Sequence, residues 1–150
     1  MTSHAPADYV CPFCRNLREG TGDFPLEILH EYDEVVVKLN IKWWRKNPGA
    51  ALVVPRGHYE NVYDLPIDLG TPLQEAIRDT AYAMKAAFKC DGVSQRQHNE
   101  PAGYQDVWHY HVHVFPRYEG DDLYRSRDTY LPAAEEMREY ADRLRAAWPR

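Results

Sequence analysis

Three histidines stand at alternate positions in Trp108-His109-Tyr110-His111-Val112-His113-Val114-Phe115. If Val107 to Phe115 is a strand, His109, His111 and His113 project from one face at ~6.7 Å intervals, while Tyr110, Val112 and Val114 point the other way. Two chemistries suit such a row. The three imidazoles could share one metal ion, or they could divide the work, one anchoring structure and the others handling a phosphate group. Adjacent rings can converge on one ion, but the outer pair, ~13 Å apart at their roots, does so only with difficulty, so reach favours division. A second pair with ligand chemistry is Cys11-Pro-Phe-Cys14. A CxxC pair serves either a metal or a thiol redox couple, but a redox pair normally follows a strand and opens a helix. Here polar residues precede the pair, and Gly20 and Gly22 interrupt any long helix after it.

The elements that must carry these groups follow from periodicity. Leu26 to Tyr32 and Glu34 to Asn40 are β-favouring runs that meet at Asp33-Glu34 as an antiparallel hairpin. Asn47-Pro48-Gly49 is a turn signal, and Ala51 to Val54 is a buried strand stopped by Pro55. From Thr71 to Phe88 the residues Leu73, Ile77, Ala81, Met84 and Phe88 make one apolar helical face, with Thr71 as cap and Pro72 in the first turn. A late helix, Pro132 to Trp148, carries Ala134, Met137, Tyr140, Ala141 and Leu144 on one side. Cys90, at the end of an apolar helical face, is expected in the core. Strands, a helix, further strands and a final helix predict an α+β fold rather than a parallel α/β sheet.

Composition narrows the function classes. The 150 residues are 44% apolar and 27% charged, with no repeat or charge block, which predicts one domain over 1–150. A net charge of −5 supplies no general field for polynucleotide phosphates, so duplex nucleic acid is not an expected partner. The opening MTSHAPADYV has no basic stretch followed by an apolar one, and no apolar run approaches the ~18 residues of a membrane span. An odd cysteine count, three, fits a reducing cytoplasm better than a bridged secreted scaffold.

The His-x-His-x-His segment, running into Pro116-Arg117, resembles the signature of the histidine triad (HIT) superfamily of nucleotide-binding proteins, in particular its zinc-containing bacterial-type branch. Cys11-x-x-Cys14, Gly22-Asp23-Phe24-Pro25, Pro55-x-x-His58, Asn99-Glu100 and Ala102-Gly103 ahead of Gln105 follow in the family's order, so the likeness covers about 11–117, leaving 118–150 as an extension. It implies a mainly antiparallel five-stranded sheet and a homodimer joined through the first long helix and its adjoining strand. It also implies that His111 is a nucleophile attacking the α-phosphorus of a nucleotide conjugate through a phosphohistidine, with His113 on the phosphate oxygens or the leaving-group bridge. Cys11, Cys14, His58 and His109 then form a Cys2His2 set suited to structural zinc. Asn40 falls where the family places a ribose-contacting Asp, Phe24, Leu39 and Ile41 where it has apolar walls for the base, usually a purine, and Asn99 and Gln105 on the phosphate side.

Several positions depart from that pattern. Asn99 precedes His109 by 10 positions, one fewer than is common in the family, and Asp106 puts a carboxylate where small residues usually approach phosphate. Such a carboxylate repels an anionic ligand unless it turns away, is protonated, or pairs with a base such as Arg96 or Arg117. Trp43-Trp44 belongs to an expanded turn and is available to stack on a ligand or to bury in a dimer contact. Tyr124 to Arg127 either brings basic groups to the pocket mouth or forms a solvated linker. Besides an enzyme cleaving phosphoramidate, adenylyl or dinucleoside polyphosphate conjugates, two other functions fit: a nucleotide-sensing binding module, and a metallohydrolase with all three strand histidines on a catalytic ion.

Overall fold

A computed structural model of the chain describes residues 2–20 and 26–150. Five strands, β1 (Ile28–Glu31), β2 (Val35–Leu39), β4 (Ala51–Pro55), β6 (Val112–Arg117) and β5 (Gly92–Gln97), form an antiparallel sheet in the order β1-β2-β4-β6-β5. Two helices, α2 (Gly70–Phe88) and α3 (Ala134–Ala146), cover one face. The fold is therefore α+β, with the long helix and the C-terminal helix predicted from periodicity.

Strand alternation assigns the two sides. Val35, Val37, Leu39, Val53, Val112 and Val114 point into the helix-covered core, each at most 4% exposed. A fully buried aliphatic side chain of this kind contributes roughly 1.5–3 kcal/mol. On the other face Leu52 and Val54 pack against Cys11 and Phe13 of a helical turn, α1 (Pro12–Cys14), which continues as a π-helical stretch, Arg15–Glu19. One row crosses this second face by register: Lys38 opposite Leu52, Leu52 opposite His113, and His113 opposite Arg96.

The histidine segment is only partly strand. β6 begins at Val112, because its pairing with β4 stops at Val53 and with β5 at Gln97. Residues 107–111 run off the sheet as a loop, held by Tyr110 N–H donating to the Tyr59 carbonyl and His109 N–H to that of Val107. Nor is Thr71 a helix cap: the 3-10 turn Ile67–Leu69 runs directly into α2 at Gly70. The edge strand β5 has no apolar alternation to announce it, since its six residues are Gly-Val-Ser-Gln-Arg-Gln.

The expanded turn and the C-terminal extension meet in a second sheet, where β3 (Trp43–Trp44) pairs with β7 (Thr129–Tyr130). Trp43 is fully buried beside Tyr130 and Tyr140, and the Trp44 indole donates to the Ser126 carbonyl at 3.2 Å. Asn47 fastens the same turn, donating to the Pro116 carbonyl and to Asp121. Gly49 needs its lack of a side chain, because it sits at φ 90° and a Cβ there would lie 2.7 Å from the Phe88 ring. The extension is thus anchored at Leu123, at β7 and along α3, while Tyr124, Arg125 and Arg127 stay exposed and outside the cavity lining, and Cys90 is buried in the core as expected. No helix among the described residues is long and apolar enough to cross a membrane.

Candidate functional site

The loop 107–111 brings two sites side by side. On its N-terminal side the ligand atoms of Cys11, Cys14, His58 and His109 all lie within 4.8 Å of one another. Cys11 Sγ is 3.3 Å and Cys14 Sγ 3.7 Å from His109 Nδ1, and Cys14 Sγ is 3.4 Å from His58 Nδ1. Zinc bond lengths of about 2.3 Å to sulfur and 2.0–2.1 Å to nitrogen put S and N about 3.6 Å apart across a tetrahedron, so the four residues fit the ion. The orientation of His109 fits as well. Its Nε2–H donates to the Pro55 carbonyl at 2.9 Å, which leaves an unprotonated Nδ1 aimed at the cysteines. Burial pushes the His109 pKa down to about 4 and the Cys11 thiol up to about 11 in the metal-free protein.

On the other side of the loop lies a cavity of about 470 Å³, in the range of small-ligand pockets. His111 and His113 both line it, their ring centroids 4.9 Å apart. His111 uses its nitrogens the opposite way from His109. Its Nδ1 lies 2.7 Å from the His109 carbonyl, an obligate acceptor, so Nδ1 carries the proton and Nε2 keeps the lone pair. The ring is only 4% exposed, with Phe13 edge-on at 5.1 Å, and burial lowers its pKa. His113 makes no hydrogen bond among the described residues, and burial, then the neighbouring His111, His98 and Arg96, lowers its pKa to about 3. Both rings are therefore neutral at pH 7.

The remaining expected residues divide. Asn40 and Ile41 line the cavity, Asn40 with its amide donating to the Lys42 carbonyl. Leu39 does not; alternation turns it into the core, fully buried, and presents Lys38 to the cavity instead. Phe24 lies outside the described residues, as does the rest of Gly22-Asp23-Phe24-Pro25. Asn99 and Gln105 brace the loop rather than line the cavity. The Asn99 carbonyl oxygen accepts from Val62 N–H, and Gln105 accepts from Glu100 N–H while donating to the carbonyls of Glu60 and Val107. Asp106 lines the cavity mouth, exposed, and pairs with neither Arg96 nor Arg117; Arg117 is instead held by Asp121 at 2.7 Å.

The cavity also holds Lys38 and His98, which sequence reasoning does not single out, and Arg96, which it names only as a base that could pair with Asp106. His98 Nδ1–H donates to the Gly103 carbonyl at 2.6 Å, and its ring is 6.0 Å from that of His113. Lys38 is 3% exposed, its ammonium 5.5 Å from the Phe13 ring, and burial lowers its pKa to about 8. The available signal was alternation: Arg96 and His98 share a face of β5 and its continuation, and Lys38 is the polar exception in an apolar strand.

Comparison with known proteins is consistent with this geometry. Residues 22–120 match the HIT domain family. The Bacillus subtilis protein called Protein hit is 33% identical over 108 residues, 72% of this chain and 71% of its own length. The adenosine 5'-monophosphoramidase of Saccharomyces cerevisiae is 26% identical over 118 residues, 78% of this chain and 68% of its own. Among solved structures, a Hit-like protein of Bartonella henselae superposes with a TM-score of 0.78 at 30% identity, covering 91% of this chain and 95% of its own. A zinc-bound histidine triad family protein of Mycobacterium smegmatis gives 0.73 at 26% identity, covering 91% of both chains.

Proposed function

This chain belongs to the HIT family, and from that premise we propose that it is a nucleotide-binding hydrolase or nucleotidyl transferase in which His111 forms a covalent bond to the α-phosphorus of a nucleotide conjugate. The observation that carries the reading is the tautomer of His111. With Nδ1–H committed to a backbone carbonyl, the Nε2 lone pair is presented to a cavity of nucleotide size. The Nε2–P bond forms as the bond from phosphorus to the leaving group breaks, and the leaving group departs with the electron pair. The imidazolium so generated keeps its Nδ1–H on the His109 carbonyl, which stabilises the new positive charge. Water then attacks phosphorus, releases the nucleoside monophosphate, returns the electron pair to Nε2 and loses a proton to solvent. His113, which makes no hydrogen bond among the described residues, is assigned to the phosphate oxygens or the leaving-group bridge. Asn40 and Ile41 are assigned to the nucleoside, a purine nucleoside by family expectation, while Asn99 and Gln105 act by bracing the loop.

Zinc is assigned to Cys11, Cys14, His58 and His109, where it ties the N-terminal segment to the loop and, with four protein ligands, has no open position for substrate. Of the three triad histidines only His109 belongs to this cluster, which argues against a catalytic ion held by all three. We read residues 1–150 as one domain acting in a reducing cytoplasm that keeps Cys11, Cys14 and Cys90 out of disulfides, and as a homodimer through α2 and the edge strand β5. A second reading, nucleotide sensing without turnover, draws support from the exposed carboxylate of Asp106 at the mouth. Incubation with an α-32P-labelled nucleotide conjugate separates the two. Acid-labile label on the wild-type protein and none on His111→Gly supports the covalent route; nucleotide binding without label or product supports sensing.

A further inference from the structure

Two arginines lie against the ring of Tyr124, and they are satisfied differently. Arg117 is 4.7 Å from the ring centroid and makes a two-pronged pair with Asp121, at 2.7 and 2.8 Å. Arg96 is 5.8 Å from the same ring, 5.0 Å from Trp44 and 5.2 Å from Phe115, and no carboxylate or hydrogen-bond acceptor meets it among the described residues. Its Nε is buried without any partner. Desolvation therefore weighs on a cation that no carboxylate among the described residues compensates. Aromatic faces hold a guanidinium in place but leave its in-plane N–H donors free, and a planar fork of donors matches phosphate oxygens.

The position of Arg96 says which phosphate. It is the direct cross-strand partner of His113 on β6, on the face that lines the cavity, whereas Lys38 lies two strands away on the other side of His113 and its charge acts on His111. A phosphate bonded to His111 Nε2 would have the Lys38 charge beside it, and a chain continuing from it past His113 would meet Arg96. Two of the three aromatic residues that hold Arg96, Trp44 and Tyr124, come from the expanded turn and the C-terminal extension, which the β3–β7 pairing fastens together.

We propose that Arg96 in this aromatic socket binds the phosphate chain on the leaving-group side of the scissile bond, which makes the preferred substrates nucleotide conjugates whose leaving group is itself a phosphate chain, such as dinucleoside polyphosphates, rather than nucleoside phosphoramidates. This deepens the reading of the site given above and rests on it. In the reaction the α-phosphorus to bridging-oxygen bond breaks, and the polyphosphate departs with the electron pair while its oxygens remain on the guanidinium.

The test is the ratio of kcat/KM for diadenosine triphosphate to kcat/KM for adenosine 5'-phosphoramidate, measured for wild type, Arg96→Gln and Arg96→Lys. Losing one charge-assisted contact lowers the ratio about 10- to 100-fold in Arg96→Gln. Arg96→Lys, which keeps the charge without the fork, falls between that variant and wild type. An equal loss on both substrates, or none, overturns the proposal. If wild type turns over neither compound, the covalent reading has failed but this one is still decided by calorimetry. Arg96→Gln then weakens binding of adenosine tetraphosphate by more than it weakens AMP, and equal weakening of both, or none, rejects the assignment.

Discussion

His109 and His111 are two residues apart and serve the two sides of one loop with opposite nitrogens. His109 donates from Nε2 to Pro55 and offers Nδ1 to a closed set of thiols and an imidazole; His111 donates from Nδ1 to the backbone of His109 and offers Nε2 to a cavity. The identity of the residue does not distinguish a structural ligand from a nucleophile. The carbonyl that captures one ring N–H does, because it fixes which lone pair is free and where it points. The His111 carbonyl partner belongs to His109, so displacing one residue displaces the orienting group of the other.

The largest expected effect breaks the cavity side alone. His111→Gly lowers kcat by at least about 10³-fold, because it removes the proposed nucleophile. Zinc content by elemental analysis stays at the wild-type level, as His111 is not in the metal cluster. Full turnover in this variant would remove His111 from the chemistry. The next effect breaks the metal side. Cys11→Ala loses zinc and, if the tie is worth roughly 3 kcal/mol, lowers Tm by about 6–12 °C in a domain of this size. His113→Ala keeps its zinc in the same assay. A metal content that depends on all three triad histidines and not on Cys11 would instead favour the catalytic-ion alternative.

How much of this contrast was legible in the sequence depends on what each residue answers to. Both helices, the first hairpin and the strand Ala51 to Val54 were readable because apolar periodicity and turn residues agree there. The grouping of Cys11, Cys14, His58 and His109 came from resemblance, since residues 95 and 98 positions apart carry no local signal of contact. The continuous strand over Val107 to Phe115 was misread, because alternation of side chains does not reveal where pairing partners run out, and β4 and β5 run out at Val112. Lys38 is not singled out, and Arg96 is read only as a partner for Asp106, for a related reason: the place of both depends on which strands flank β6. Leu39, which the family resemblance assigns to the wall around the base, faces the core instead, since alternation turns Leu39 and Lys38 to opposite sides.

A smaller effect sharpens the comparison through pH. The folded protein holds His113 at a pKa of about 3, against about 6.5 for a free imidazole. Between these values the unfolded chain binds a proton that the native chain does not, so the contribution of His113 to stability is fully present above pH 6.5 and is lost as pH falls toward 3. Urea unfolding at pH 7.5 and 5.0 tests this. Wild type loses more stability over that interval than His113→Gln does, and the zinc ligands, common to both proteins, cancel in the difference. Identical losses in the two proteins would mean that His113 titrates normally.

The smallest expected effect concerns Asp106, which stands exposed at the mouth of the cavity while the cluster on the other side of the loop is closed by its own ligands. Its carboxylate raises the pKa of His111 through the electrostatic field, so the same field acts against an incoming phosphate. An exposed charge in water exerts only a weak force, and salt screens it over about 8–10 Å. Asp106→Asn should therefore tighten AMP binding about 2- to 5-fold at low ionic strength, and the gain should vanish near 0.5 M salt, where the screening length is only a few ångströms. Calorimetric titration of both proteins at the two salt concentrations reads this directly. Weaker binding by Asp106→Asn would mean that the carboxylate accepts a hydrogen bond from the ligand, and that the mouth of the cavity selects for a donor there instead of repelling charge.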